Sequence, residues 1–293
     1  MGSFFFGISL TCFVGSYVVA MLLDLTRSAV QIPGRGLLTI VFTVAGLFAH
    51  AAYLVARAVG QNTGGDIGLL AGWYDWSLLV AWGMAACFLI LYLRRPDTSV
   101  GVFLLPTVLV VVGLASLTRD WTPFSRVEAV GLWRTVHGLA MMVGAASVLL
   151  GFIAGLMYLT QAHRLKLKKA GRRRLKLPAL EWLQGMNRHC LVVSTAAVAV
   201  GVMAGVVMNL NQWGNVPWNE VVLPLILFAW LLAATSVEFF YRPAREGRKI
   251  VYLTLASFGF LVLAMYGVLS SEHGRSSVET LSVRVAPVVG EKS

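Results

Sequence analysis

The sequence is poor in charged residues, which make up 13% of its 293 positions. A typical soluble domain carries about 25%. Hydrophobic residues reach 58%, and a chain this apolar can bury its surface only in lipid. The shortage of charge therefore excludes an ordinary soluble protein and predicts a membrane protein with several spans.

Cysteine is also scarce. Cys12, Cys87 and Cys190 lie far apart inside apolar segments, and no C-x-x-C or C-x-x-C-H motif is present. This spacing excludes a covalent c-type haem carrier, a thiol-disulfide enzyme and a zinc ribbon. We interpret the three residues as small buried hydrophobes.

Acidic residues are also few, with 13 Asp and Glu against 24 Lys and Arg. Almost none lies in the middle of an apolar segment, which argues against a proton-coupled transporter. The excess of positive charge does not indicate a nucleic-acid partner. The basic residues cluster in short loops between apolar segments, as in proteins whose partner is the lipid bilayer.

Long apolar runs are abundant. A helix of about 20 apolar residues crosses a bilayer, and the predicted spans are 3–23, 36–58, 68–93, 98–117, 132–160, 184–210, 220–240 and 250–270. The predicted fold is an all-α polytopic transmembrane bundle of about eight spans. Residues 1–274 form its one domain, and 275–293 form a flexible extracytoplasmic tail. The first span has no basic n-region or cleavage site and is expected to remain as a helix.

Loop charge predicts the orientation of the bundle. Each loop from an odd to an even span is basic: Arg27 and Arg35, Arg94 and Arg95, the run 164–176, and the run 242–249. The other loops are poor in Lys and Arg. Basic loops stay in the cytoplasm, so both termini are predicted to be extracytoplasmic. The expected location is a bacterial-type cytoplasmic (inner) membrane.

Two histidines are predicted to share the outer face. His137 begins the fifth span and His273 follows the eighth. Neutral imidazole is a good ligand for haem iron, and two can bind axially, one on each side. The alternative for each is a solvated histidine at the end of a span.

A tryptophan-rich loop, Trp213–Asn219, joins the sixth and seventh spans on that same face. Trp213 and Trp218 can line a planar ring, Gly214 shapes the turn, and Asn219 can donate hydrogen bonds to propionates. The alternative is an interfacial anchor, a common role of tryptophan in membrane proteins. Trp73–Trp76 is a second aromatic patch there, either an interface belt or another wall of the same pocket.

The other histidines carry weaker predictions. His50 lies within the second span, and an intramembrane ionisable residue is a functional candidate. It is either an entry-site haem ligand or a neutral histidine bonded to a neighbouring helix. His189 is interpreted as solvated at the inner interface or as an inner ligand, and His163 as part of the cytoplasmic surface.

Several stretches resemble the cytochrome c assembly family, which includes CcsA, CcmC and HemX. They are 76–82, 91–94, 103–106, 133–137, the 155–161 run that ends in Tyr158-Leu-Thr-Gln161, 183–205 and Ser271-Glu-His273. The likeness covers about 36–275, with the spans in the expected order. In that family, a periplasmic tryptophan-rich segment called WWD and two flanking histidines bind haem.

The resemblance implies a role for each candidate. His137 and His273 correspond to the axial histidines of a transiently bound haem b, and Trp213, Gly214 and Trp218 to part of the WWD segment. The implied partners are a CcsB-like protein and apocytochrome c, as in the system II pathway of cytochrome c maturation. The chain is not expected to be an enzyme by itself, although it can be a subunit of a haem-attachment complex.

The loop is shorter than the family's fuller motif, and Asn219 stands about where that motif has Asp. This difference favours a HemX-like member and leaves a second function open. That function is an accessory or regulatory membrane protein of haem biosynthesis, which binds a cytosolic enzyme through its basic cytoplasmic loop.

Overall fold

The computed structural model describes residues 10–28, 33–63, 72–119, 132–167, 176–214, 216, 218–240 and 247–270. Within these ranges the chain forms α-helices and one short 3-10 turn, with no strand. The helices are α1 Leu10–Leu25, α2 Arg35–Thr63, α3 Trp73–Arg94, α4 Gly101–Leu117, α5 Leu132–Lys166, α6 Leu180–Trp213, α7 Trp218–Phe240 and α8 Gly247–Ser270. Each corresponds to one predicted span, which confirms the all-α polytopic fold.

Six of these helices are long and apolar enough to cross a membrane. The shorter two are α1, with 16 residues, and α4, with 17. The longest described helices are α5, with 35 residues, and α6, with 34. At about 1.5 Å per residue, both helices exceed a hydrocarbon core of about 30 Å.

The helices pack as two groups of four. In the first group, α1 contacts α2 and α4, and α3 contacts α2 and α4. In the second group, α5 contacts α6 and α8, and α7 contacts the same two helices. The closest packing between the groups runs through α5, which lies against α3 and α4.

The interior of the first group is filled by large side chains. Phe13, Tyr17, Leu78, Phe88 and Leu104 are all fully buried. Side chains of this size contribute many dispersion contacts, the main source of helix association where lipid is as apolar as the protein.

Small residues line the second group instead. A Cβ added at Gly144 would lie 2.8 Å from Val198 of α6, and one at Gly151 would lie 3.0 Å from Thr254 of α8. Gly155 lies against Val251 of α8 in the same way. These glycines of α5 therefore allow close packing against neighbouring helices of the same bundle.

The cysteines lie in α1, α3 and α6, and none of the three forms a disulfide in the described part of the structure. Cys87 and Cys190 are half-buried, but Cys12 is exposed. The prediction of three buried hydrophobes is therefore wrong for Cys12, whose side chain lies on the outer surface of α1.

Contacts between helix ends define one face of the bundle. Arg57 near the end of α2 pairs with Asp75 at the start of α3, and Trp76 of α3 packs on Gly138 near the start of α5. Gly267 near the end of α8 contacts Leu223 near the start of α7. We call this end the aromatic face.

The opposite end carries most of the described Lys and Arg residues, and we call it the basic face. Arg27 donates a hydrogen bond to the Thr98 carbonyl at 3.3 Å, and the Arg95 guanidinium lies over the Trp182 ring at 5.1 Å. Placing the basic face in the cytoplasm stays a prediction from loop charge. The tail 275–293 lies outside the described residues.

Candidate functional site

The His137 ring lies directly on the backbone of α6 at the aromatic face. Its Nδ1 is 2.7 Å from the Gly201 carbonyl oxygen. A carbonyl can only accept, so Nδ1 donates, and the neutral ring then carries its lone pair on Nε2. A backbone partner of this kind fixes the tautomer of many metal-binding histidines.

Gly205 makes room for this ring, and Gly201 makes room for Met141, one turn further along α5. A Cβ added at Gly205 would lie 2.9 Å from Nδ1 of His137, and one at Gly201 would lie 2.6 Å from Sδ of Met141. Contacts that short essentially require glycine, because any larger residue would displace the side chains of α5. The motif Gly201-x-x-x-Gly205 therefore positions the histidine as well as the helices.

Trp76 of α3 packs against Gly138, the residue that follows His137 in α5. A Cβ added at Gly138 would lie 2.9 Å from the Trp76 ring. Its neighbours Tyr74 and Asp75 are buried within the bundle. The patch Trp73–Trp76 thus packs against the turn that bears His137.

The tryptophan-rich loop lies at the same end of the bundle. α6 ends at Trp213, and Gly214 follows in the left-handed region with φ of 69°. The Gly214 N–H donates to the Leu210 carbonyl at 3.1 Å, a common way to end a helix. α7 begins at Trp218, whose side chain is 65% exposed. The side chains of Trp213 and Asn219 lie outside the described part of the structure.

His273 also lies outside the described residues, three positions beyond the end of α8. The last turns of α8 are described, and their contact with α7 through Gly267 and Leu223 places that helix end at the aromatic face. The described residues therefore bring together His137, Trp76, Gly214 and Trp218 at one end, and they do not test the second histidine.

His50 lies in a separate place, inside the first group. It is completely buried, and its ring stacks on Phe13 with 4.1 Å between ring centres and 3° between planes. The Tyr17 hydroxyl lies 3.4 Å from Nδ1. Nε2 is buried, with no hydrogen-bond partner among the described residues. Of its two sequence interpretations, the contacts with α1 favour a histidine held by a neighbouring helix.

The remaining two histidines lie at the basic face. His163 and His189 are both exposed. The Nδ1 atom of His189 is 2.7 Å from the Gly185 carbonyl of its own helix. Both positions agree with the surface interpretation made from the sequence.

A charged cluster lies at the aromatic face, and the sequence patterns did not predict it. Arg57 Nε donates to Asp75 Oδ1 at 2.7 Å, and the guanidinium lies 4.7 Å from the centre of the Tyr74 ring. The hydroxyls of Tyr53 and Tyr74 are 3.0 Å apart. Opposite charges at the facing ends of two consecutive spans were the signal that could have revealed it.

Comparison with known proteins identifies one match. A family model described as cytochrome C assembly protein matches residues 70–275. The match covers well over half of the chain, from the start of α3 to the end of α8. It includes His137, the tryptophan-rich loop and His273, and it leaves α1 and α2, with His50, outside. No curated protein matches the chain.

Proposed function

The chain belongs to the cytochrome c assembly protein family, and from that premise we propose that it holds haem at the aromatic face during cytochrome c maturation. The observation that supports this proposal best is the contact of His137 Nδ1 with the Gly201 carbonyl at 2.7 Å. That contact leaves the lone pair of the neutral ring on Nε2, the atom used by most haem-ligating histidines.

His137 and His273 supply the two axial ligands in this proposal. Trp213 and Trp218 line the faces of the ring, and Asn219 donates hydrogen bonds to its carboxylate groups. The left-handed conformation of Gly214 turns the chain between the two tryptophans. The exposure of Trp218 supports this role, because an aromatic shelf must be accessible to receive cargo.

Haem is cargo here, and the redox chemistry of its iron belongs to the cytochrome that finally receives it. The protein positions the ring, shields one edge of it and keeps its iron coordinated. Attachment to apocytochrome requires a partner, such as a CcsB-like subunit, that presents the acceptor cysteines. The chain alone has no cysteine motif for that step.

The test is the visible spectrum of the purified protein after titration with haem. We expect a low-spin spectrum typical of two imidazole ligands. The double variant His137→Ala, His273→Ala should lose it, with haem affinity falling at least about tenfold, or about 1.4 kcal/mol. Added imidazole should restore the spectrum of the variant.

His163→Ala is the matched control, because that histidine is exposed at the basic face. It should bind haem as the unaltered protein does. A spectrum that survives the double variant, or is lost in the control, would contradict the proposed site.

A second function rests on Asn219, which stands where the family's fuller motif has Asp. It is the HemX-like accessory role in haem biosynthesis, exerted on a cytosolic enzyme through the basic run Lys166–Lys176. This role predicts that neutral substitutions in the run abolish activity in cells and that His137→Ala does not. The haem-holding role predicts the reverse result for both variants.

A further inference from the structure

Two oppositely charged side chains are buried at the basic face of the first group. Asp24 near the end of α1 is 2% exposed, and Arg35 at the start of α2 is 8% exposed. The positive charge of Arg35 stabilises the Asp24 carboxylate, although less than that of Arg27 does. However, no salt bridge joins them in the part of the chain that the structure describes.

Both residues also have buried polar atoms that find no hydrogen-bond partner among the described residues. These atoms are Nε and Nη2 of Arg35 and Oδ2 of Asp24. Nε and Nη2 form the edge of a guanidinium that binds two oxygens of one carboxylate or phosphate. Buried polar atoms that make no hydrogen bond are costly, so a bound species that supplies the missing bonds would stabilise these three atoms.

The missing bonds define the chemistry of that species. It must present anionic oxygens to the two donors of Arg35, and an N–H or O–H group to Asp24. The charges favour a zwitterion, with its anion near Arg35 and its cation near Asp24. A phosphate joined to a primary ammonium meets both requirements.

The surroundings place the two residues at the level of lipid headgroups. They lie at helix ends, and the amides of Gly101 and Val102 at the start of α4 interact with the Asp24 carboxylate. Large apolar side chains cover the helix surfaces next to them and are exposed, as for contact with acyl chains: Leu22, Leu25, Leu37, Leu38 and Val41. The long stem of Arg35 can swing its guanidinium to the interface while the backbone of α2 stays in place.

We propose that Asp24 and Arg35 bind the headgroup of an ethanolamine phospholipid, with its phosphate on Arg35 and its ammonium on Asp24. The site lies at the basic face, on the far side of the bundle from the proposed haem site. It therefore does not depend on the proposed function.

The experiment measures lipid binding to the delipidated protein in detergent by native mass spectrometry. Phosphatidylethanolamine and phosphatidylcholine with identical acyl chains are compared, because the choline nitrogen has no N–H to donate. We expect ethanolamine lipid to bind at least about tenfold more tightly than choline lipid. Equal binding of the two lipids would overturn the proposal. Binding of neither lipid would also overturn it, because ordered water would then be the remaining partner of the two residues.

Two variants test which residue binds the phosphate and which binds the ammonium. Arg35→Lys keeps the charge but loses the two-donor edge, and it should weaken ethanolamine lipid about tenfold. Asp24→Asn should reduce the preference for ethanolamine over choline to less than about threefold. Because Lys and Asn retain the shape of the site, both variants are expected to fold.

Arg94→Gln is the control, since Arg94 is exposed at the same face but outside the site. It removes one positive charge and should leave lipid binding unchanged. Equal loss in Arg94→Gln and Arg35→Lys would show a general charge effect and overturn the proposal. Displacement of the lipid by millimolar inorganic phosphate would also overturn it, in favour of a free-phosphate site.

Discussion

The two four-helix groups differ in the polar side chains that join their helices. In the first group, large side chains meet each other, as in the Arg57–Asp75 pair at 2.7 Å. In the second group, short side chains join neighbouring helices. Thr195 bonds Thr235 at 2.7 Å, and Asn187 donates to Thr254 at 2.9 Å. Helices that carry short side chains can approach closely, whereas large side chains fill the space between helices.

Two histidines that lie towards the aromatic face differ in their surroundings for the same reason. Aromatic rings enclose His50 on α2, and the side chain has no exposed surface. Glycines of α6 support His137, whose side chain is only partly buried. Cargo that must enter and leave needs an accessible ligand, so the packing of the second group suits that task and the packing around His50 does not.

The family match crosses this division, because it begins at the start of α3, includes α3 and α4 of the first group, and omits α1 and α2. The unmatched α2 nevertheless contacts the matched part at the aromatic face, through Arg57 on Asp75. The first turn of α3 also bears Trp76, which packs beside His137. We therefore expect α2 to support the site without forming it.

The largest effect is expected from Asp75→Asn. The substitution removes the charge partner of Arg57, and breaking a buried pair costs about 3–5 kcal/mol. The Arg57 side chain is 29% exposed, so water offsets part of that loss. We expect about 2–3 kcal/mol of lost stability, seen as a lower midpoint of thermal unfolding in detergent.

The control for this variant is Asp97→Asn at the basic face. Asp97 lies 3.8 Å from Arg27, and its side chain is 89% exposed. Pairs of this kind contribute little, so its midpoint should not change measurably. Equal shifts for Asp75→Asn and Asp97→Asn would contradict this prediction. They would mean that the Arg57–Asp75 pair contributes no more stability than the exposed Arg27–Asp97 pair.

The next largest effect is expected from Gly205→Ala. The new methyl group would lie 2.9 Å from the His137 ring, so the ring must move off the α6 backbone. Overpacking of this kind costs about 1–3 kcal/mol. We also expect haem affinity to fall, which titration followed by visible spectroscopy would measure.

Gly185→Ala is the matched control in the same helix, because nothing lies within 4 Å of a Cβ added there. Alanine is the better helix former, so this variant should gain about 0.5–1 kcal/mol and bind haem normally. If Gly205→Ala had the same stability and haem affinity as Gly185→Ala, the result would contradict the close approach of His137 to α6.

The order and type of the helices could be predicted because long apolar runs determine them directly. The sixth span was expected over 184–210 and is a helix over Leu180–Trp213. Its ends carry polar residues such as Glu181 and Asn211, which a hydropathy criterion omits although helix geometry accommodates them. Helix bounds beyond the lipid are therefore the less predictable part.

The contacts inside the bundle could not be predicted in the same way. Tyr17 and His50 are 33 residues apart, and their meeting depends on the rotation of α1 against α2. The glycine spacing of α6 did indicate close packing, but nothing in the pattern specified His137 as the group packed on it. Side-chain partners follow from helix rotation, and an apolar segment with no strongly polar side carries little information about rotation.

A smaller effect is expected from Thr195→Val in the second group. Its hydroxyl joins α6 to α7 through Thr235, and interhelical hydrogen bonds in membranes contribute about 0.6 kcal/mol on average. Unfolding in detergent should show a loss of about 0.5–1 kcal/mol, since Thr235 also loses its partner. Ser236→Ala is the control, because the hydrogen bond that Ser236 makes among the described residues goes to the Leu232 carbonyl one turn earlier, and it should have no measurable effect.

The smallest effect is expected from the double variant Tyr17→Phe, His50→Phe, which tests whether the enclosed histidine has a role beyond packing. Removing both partners of a buried hydrogen bond is nearly neutral when shape is kept, and here it also removes the unpartnered Nε2. We expect a change in stability of less than about 1 kcal/mol and an unchanged haem spectrum. Tyr17→Phe alone should be less stable than the double variant, since it leaves the His50 ring with neither nitrogen satisfied. Loss of bound haem in the double variant would mean that the first group also holds cargo, and the division between the two groups would then fail.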